Sequence, residues 1–282
     1  MHNILKGIFG AHELQIDARK FQIVYLGFFL LLGTMLLDWD TQAYKVFIIV
    51  GCSLATQTVF IALGRAHISS WMSALITSLG LCLLFRGNDV NTLVLASVLA
   101  ISSKFLLRFR GKHLFNPANF GIIAAILLTN DGWISPGQWG SSVILFFIIG
   151  ALGSVVLLKV GRLDTTLTFL LVFIGLEYCR TIIYLGWTHD VLLHRFTNGS
   201  FLLFAFFMIT DPKTTPDHPI ARRIWAICVA LLAFGMSNWL YLHTAPIWAL
   251  FFITPINALL DAKWRSARFR WLSERIIKPY IT

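Results

Sequence analysis

The chain has 282 residues, 57% of them hydrophobic and only 13% charged, with a mean hydropathy of +0.75. A soluble domain carries about twice that share of charge. A soluble globule, a disordered chain, a fibrous repeat and a scaffold of disulfides built on four Cys are therefore excluded. Against this apolar background stands a net charge of +10, from 23 Lys and Arg over 13 Asp and Glu, and where those charges lie matters more than their total.

The first 21 residues read as a cytoplasmic N-terminal segment. They carry Glu13, Asp17, Arg19 and Lys20 ahead of any apolar run, unlike a cleavable signal. Ile4, Leu5, Ile8 and Phe9 suit either a short interfacial helix or a loosely ordered end. Apolar runs follow at about 22–37, 44–64, 68–85, 91–107, 115–128, 141–158, 166–187, 199–210, 223–242 and 245–260. A spanning helix takes about 20 apolar residues, and unbroken rather than alternating runs argue against a membrane β-barrel. The expected fold is an all-α polytopic membrane protein of about ten helices. It forms one transmembrane domain over 22–260, in halves of about 22–130 and 141–260, followed by a basic cytoplasmic tail over 261–282.

With the N-terminus inside, nineteen Lys and Arg fall on inner segments and four (Lys45, Arg86, Arg180 and Arg195) on outer loops. Short loops rich in Lys and Arg stay cytoplasmic, so both termini are placed there; a miscount by one helix would scatter the clusters over both sides. The tail Lys263–Lys278, interleaved with Trp264, Phe269 and Trp271, admits an RNA reading. A basic segment meeting the anionic inner leaflet of the bilayer accounts for it more simply, and no nucleic-acid partner is expected.

Runs five and eight are too short for straight spans and carry prolines at their ends. Short or Pro-interrupted segments in corresponding positions of two halves point to a binding site between them. In Asn116-Pro117, Asn is a favoured helix cap and Pro a favoured first residue, so the fifth helix should begin at Pro117. Its partly positive N-terminus, beside Arg108, Arg110 and Lys112, suits an electron-rich group. Asn119 stands three residues on, so both amides can face one side and offer paired donors and acceptors to a heteroaromatic edge; a cap plus a helix–helix hydrogen bond is the plainer alternative. Thr210-Asp211-Pro212 reads as a turn. Its Asp211 suits either a ligand or cation contact, or a turn carboxylate paired with Lys213 or Arg222.

Glu177 is the one carboxylate well inside a run, with Arg180 three residues on as the obvious partner. It is a candidate proton or cation site, or else half of a structural ion pair. His189 and His194 share an outer loop and read as solvated; Cys52, Cys82, Cys179 and Cys228 fall singly in four helices and read as buried thiols. No residue set suggests a metal site, a phosphate-binding loop or a nucleophile triad.

Lys104 to Gly121, with Lys112-His113-Leu114-Phe115-Asn116-Pro117-Ala118-Asn119, resembles the signature of a membrane flavoprotein family. Its members are flavin-carrying membrane components of the sodium-translocating NADH:quinone reductase and of the Rnf electron transport complex. Phe207 to Pro216 resembles the family's second signature, and Trp248 to Asp261 its closing helix; shorter relatives occur in enediyne biosynthesis clusters. The resemblance implies two inverted five-helix repeats and a non-covalent flavin, riboflavin or FMN, near the Asn-Pro-x-Asn segment. Asn116 and Asn119 match that pair, with Arg110, Lys112, Thr210 and Asp211 nearby. It also implies a covalent FMN on a Ser-Gly-Ala-Thr threonine, but Thr129 to Gln138 contains no such motif, so covalent FMN is not expected here.

Two functions follow as expectations. The first is a flavin-binding redox protein of the bacterial inner membrane, passing electrons between a cytoplasmic-side donor and a partner subunit or quinone, with cation transport as an optional coupled step. The second is a non-redox transporter or channel for a small solute on the same inverted-repeat fold.

Overall fold

The computed structural model describes residues 16–37, 39, 42–135 and 143–271. The expectation for Ile4 to Phe9, the part of the Thr129 to Gln138 loop beyond Ser135, and Arg275 and Lys278 of the tail lie outside the described residues. Every apolar run contains helix. In chain order these are α1 (Ala18–Leu36), α2 (Ala43–Ala62) and α3 (Trp71–Leu84, led by a 3-10 turn at Ile68–Ser70). They continue with α4 (Val90–Leu106), α5 (Pro117–Thr129), α6 (Val143–Val160) and α7 (Leu163–Tyr178, continued by a π-helix at Cys179–Tyr184). After α8 (His189–Phe196) come α9 (Gly199–Leu203, continued by a π-helix at Phe204–Met208), α10 (Pro219–Trp239), α11 (Ala245–Ile253) and α12 (Asn257–Lys263). Five continuous helical stretches are long and apolar enough to cross a membrane: α1, α2, Leu163–Tyr184, α10 and Ala245–Lys263. Five further apolar helices are shorter. At 13 residues, α5 is only about 20 Å long, against a hydrocarbon core of about 30 Å.

Two details correct the expectation. His189 and His194 do not lie in an irregular loop: they belong to α8, whose first turn holds Asp190 and whose last holds His194 and Arg195, the charge order that the helix dipole favours. The fold is also not purely helical. Short antiparallel strands β1 (Phe85–Gly87) and β4 (Gly132–Ile134) join the far ends of α3 and α5, and β2 (Arg108–Phe109) pairs with β3 (Lys112–His113) in a hairpin before α5. These strands satisfy backbone groups where chain ends meet outside the helices, which a search for long apolar runs does not detect.

Part of the helix packing recurs in both halves. The contacts α1 with α3, α2 with α4 and α4 with α5 in the first half correspond to α6 with α9, α7 with α10 and α10 with α11 in the second, whereas the extensive contact of α2 with α3 has only a slight counterpart. Small residues permit the closest of these approaches. A Cβ on Gly121 of α5 would stand 2.5 Å from the Ala96 carbonyl oxygen and 2.6 Å from the Ala100 Cβ of α4, so the two backbones touch.

Candidate functional site

The site is assembled at one end of the helix bundle, where the chain's basic loops converge. The hairpin β2–β3 turns through Arg110 and Gly111, both at positive φ (49° and 80°), as a tight two-residue turn of a right-twisted hairpin requires. It delivers the chain to Asn116, whose side-chain oxygen accepts from the Asn119 backbone N–H at 3.1 Å, and Pro117 opens α5. The cap expected from the sequence is therefore present.

The two asparagines then diverge. The Asn116 Nδ2 donates to the Met208 carbonyl at 3.2 Å and reaches Asp211 Oδ2 at 3.5 Å, tying the start of α5 to the end of the π-helix after α9. Asn119 is fully buried and donates to the Ile247 carbonyl of α11 at 2.7 Å, while its Oδ1 has no partner among the described residues. Asn116 lines a cavity of about 90 Å³ together with Thr210 and Asp211; Asn119 does not. This narrow arm lies between the halves, lined by Leu26, Leu83, Val156, Phe206, Phe207 and Trp271.

Asp211 is the arm's acid. Its Oδ1 accepts from the Lys213 backbone N–H at 3.0 Å, and its carbonyl takes the Thr214 and Thr215 N–H groups. Burial raises its carboxyl above the ordinary range, against the lowering effect of that N–H and of the Lys104 and Lys213 charges. Arg222 is not its partner: it pairs instead with Asp164 at 2.9 Å. Thr210 spends its hydroxyl on the Phe206 carbonyl at 2.8 Å.

Lys112 and Arg110 lie elsewhere. Lys112 is held by Asp217 at 3.1 Å and Asp261 at 2.7 Å, with Arg162 at 3.7 Å from the other Asp217 oxygen. This network clamps the hairpin to the loop before α10 and to α12. Arg110 stands over the Phe109 ring and, with Lys112, borders a second cavity of about 300 Å³ between the hairpin and α12. Neither residue lines the arm.

Sequence reasoning missed three contributors. Lys104, 3% exposed, donates to the Ser73 carbonyl at 2.9 Å and faces a third, wider chamber of about 460 Å³. His113 borders both this chamber and the arm. Burial and the charges of Arg108, Lys104 and Lys213 push its ring down to about 3, so it is neutral at physiological pH. Trp271 is 8% exposed and lies under Arg19, 5.1 Å from guanidinium carbon to ring centre. The tail as far as Trp271 thus folds back on the chain rather than only meeting lipid. The pairing of Arg and Trp types was visible in the sequence, but their contact joins residues about 250 positions apart.

At the opposite end, Glu177 is fully buried, but its partner is not Arg180. Arg195 of α8 binds it at 2.8 Å, and Asn238 donates to its other oxygen at 2.8 Å. Arg180 donates instead to the Asn238 side chain at 2.7 Å. The helix widens into the π-turn between the two residues, so α-helical spacing does not govern their meeting.

A model of the NQR2, RnfD, RnfE family matches residues 124–270, just over half of the chain. The chain belongs to this family. The match takes in the end of α5, the Thr210-Asp211-Pro212 turn and α12, and begins after Asn116 and Asn119. No match to a curated protein accompanies it. Family membership makes the chain an integral membrane protein related to electron-transport subunits that work in multi-subunit complexes.

Proposed function

We propose that the chain is an electron-transport subunit that holds a non-covalent flavin at the basic end of the bundle, between its two halves. The observation that carries this reading is the arm itself. A polar floor of Asn116, Thr210 and Asp211 and apolar walls drawn from both halves meet at one place, in a member of this family. The three helix contacts that recur in both halves support an inverted repeat of five helices each, and sites at such repeat interfaces are a recurring arrangement.

The residues present fit a flavin by their donor set. The arm offers a carboxylate, an amide, a neutral imidazole and, from the adjoining chamber, the Lys104 ammonium. A flavin bound there supplies electron-accepting chemistry, and fixed cations beside it favour the form carrying negative charge. Asn116 positions the floor through its bond to the Met208 carbonyl, and Trp271 adds an apolar face to the lining. Lys112 and Arg110 belong on this reading to the frame around the site, and Asn119 to the joint between α5 and α11. The basic end is cytoplasmic, and the membrane is the bacterial inner membrane. One flavin at this end does not bridge a core of about 30 Å, so electrons pass to a partner subunit or a quinone.

Purified protein should be yellow and release flavin on denaturation, identified by mass spectrometry. The double substitution Asn116→Ala, Asp211→Ala should lose that flavin, while Glu177→Gln at the far end keeps it. Colourless wild-type protein without flavin would leave the non-redox transporter as the function.

A further inference from the structure

The second cavity, of about 300 Å³ between the hairpin β2–β3 and α12, takes no part in the flavin reading. It runs along α12 from Thr254 to Ser266, and Ala258 and Ala262 leave it room because each side chain is a single methyl. Its charges are uneven. The cations Arg110, Lys112, Arg265 and Arg268 line it, against the carboxylates Asp217 and Asp261. Lys112 bonds to both acids, and Arg162 also engages Asp217. Among the described residues, no carboxylate lies within ion-pair distance of Arg110, Arg265 or Arg268. The Arg268 guanidinium lies against the hairpin turn beside Arg110, where a Cβ on Gly111 would stand 3.3 Å from its Nη1. Unmatched guanidiniums around one recess make a local positive field that an anion relieves.

The surroundings put this recess at the level of lipid headgroups. α12 closes the apolar stretch Ala245–Lys263, whose Ile256 and Leu259 are exposed, as side chains facing lipid are. Lys263 stands over the Trp264 ring at 4.7 Å, and Trp beside Lys at the end of a spanning stretch marks the membrane interface. Across the cavity, Leu106 at the end of α4 and Phe109 of the hairpin are exposed as well. The arginines therefore gather where a lipid phosphate lies, next to apolar side chains that acyl chains can cover.

The chemistry also selects among lipids. Guanidinium forks suit a phosphodiester. A choline or ethanolamine headgroup adds a cation, and the two acids able to receive it are already held by Lys112. An anionic phospholipid brings the phosphate without that cation. We propose that the cavity is a specific site for one anionic phospholipid, its phosphate held by Arg110, Arg265 and Arg268 and its acyl chains laid over the exposed apolar face of α12. The lipid ties α12 to the hairpin that leads into Asn116, and it does so whether or not a flavin occupies the arm. Such a site is saturable, unlike the general attraction of a basic segment for an anionic leaflet.

The test is native mass spectrometry of delipidated protein in non-ionic detergent, titrated with phosphatidylglycerol and with phosphatidylcholine of the same acyl chains. The first phosphatidylglycerol should bind at least about tenfold more tightly than phosphatidylcholine, and more tightly than those that follow it. Arg110→Gln, Arg265→Gln, at two exposed positions, should cut that advantage to about threefold or less. Lys20→Gln, Arg223→Gln removes the same charge from exposed positions outside the cavity and should keep the advantage. Thermal midpoints should agree for all three proteins without lipid; phosphatidylglycerol should raise those of the wild type and the control pair only. Equal binding of both lipids by the wild type, or equal loss in the two double variants, overturns the site and leaves a diffuse attraction. Displacement of the bound lipid by excess inorganic phosphate assigns the cavity to a soluble anion and overturns it too.

Discussion

Glu177 shows how a buried charge is made tolerable. Both of its oxygens are used, one by Arg195 and one by Asn238, and Arg180 completes the chain of contacts by holding Asn238. This is the arrangement of a structural pin linking α7, α8 and α10. Glu177→Gln should therefore lower stability by about 1.5–3 kcal/mol, the scale of a hydrogen bond to a charged group; Arg195 is 38% exposed and can rehydrate, which keeps the loss from being larger. Thermal unfolding in detergent measures it. A variant as stable as wild type but inactive would instead assign Glu177 a proton or cation role. His113 yields a second prediction. Its ring is pushed down to about 3 in the folded protein, from an ordinary value of 6.5. Between those values the unfolded chain binds a proton that the folded one refuses, so this contribution is complete above about pH 6.5 and is lost as pH falls towards 3, by at most about 1.4 kcal/mol per pH unit. Asp211, raised by burial, acts in the opposite sense. Comparing the wild type with His113→Asn isolates the histidine: the drop in thermal midpoint from about pH 7.5 to about pH 5 should be smaller in the variant. Residue-level legibility followed range. The Asn116 cap is local and was readable; the target of Asn119 lies 128 positions away and was not.

The elements were legible where the physics was apolar length, and illegible where it was pairing. All ten runs became helix because burial in lipid requires internally satisfied backbone. The strands β1 and β4 escaped notice because three residues leave no periodicity, and the two π-helices because nothing in composition marks them. The contact of α4 with α5 could have been anticipated from the small-residue spacing Ala96 to Ala100 and Gly121 to Ala125. It leads to a prediction. In Gly121→Ala the new Cβ would meet a backbone oxygen at 2.5 Å, which neither helix can yield without moving. The variant should lose about 1–3 kcal/mol, the usual cost of overpacking, and shift α5, whose N-terminus carries Asn116. Gly51→Ala in α2 is the control: nothing lies within 4 Å of its Cβ, and better helix propensity should leave stability equal or slightly higher. Thermal midpoints of both variants, measured side by side, decide the matter.

At the scale of the whole molecule, the arrangement of helix ends supports the alternation read from charge. Segments assigned to the inner side, from Arg19, Ser69, Lys104, Asn116, Arg162, Asp217 and Asp261, meet around the chamber or its ion pairs. Segments assigned to the outer side meet at β1 and β4 and around Glu177. Besides Asp211, nothing in the sequence marks the acids of the basic end, yet Asp164, Asp217 and Asp261 neutralise part of its excess and bind its loops together. The orientation makes a sharp prediction. Between Thr188 and Ser266 the chain should cross the membrane three times, through α9 with its π-helix, α10 and Ala245–Lys263. An odd number of crossings puts the two positions on opposite sides. With Cys52, Cys82, Cys179 and Cys228 replaced by Ser, Thr188→Cys should react with a membrane-impermeant maleimide in cells whose cytoplasmic membrane is reachable but intact. Ser266→Cys should react only in inverted vesicles. Labelling of both from one side would mean an even number of crossings and remove the ten-span alternation; labelling in the reverse sense would keep the alternation and turn the chamber to the outside.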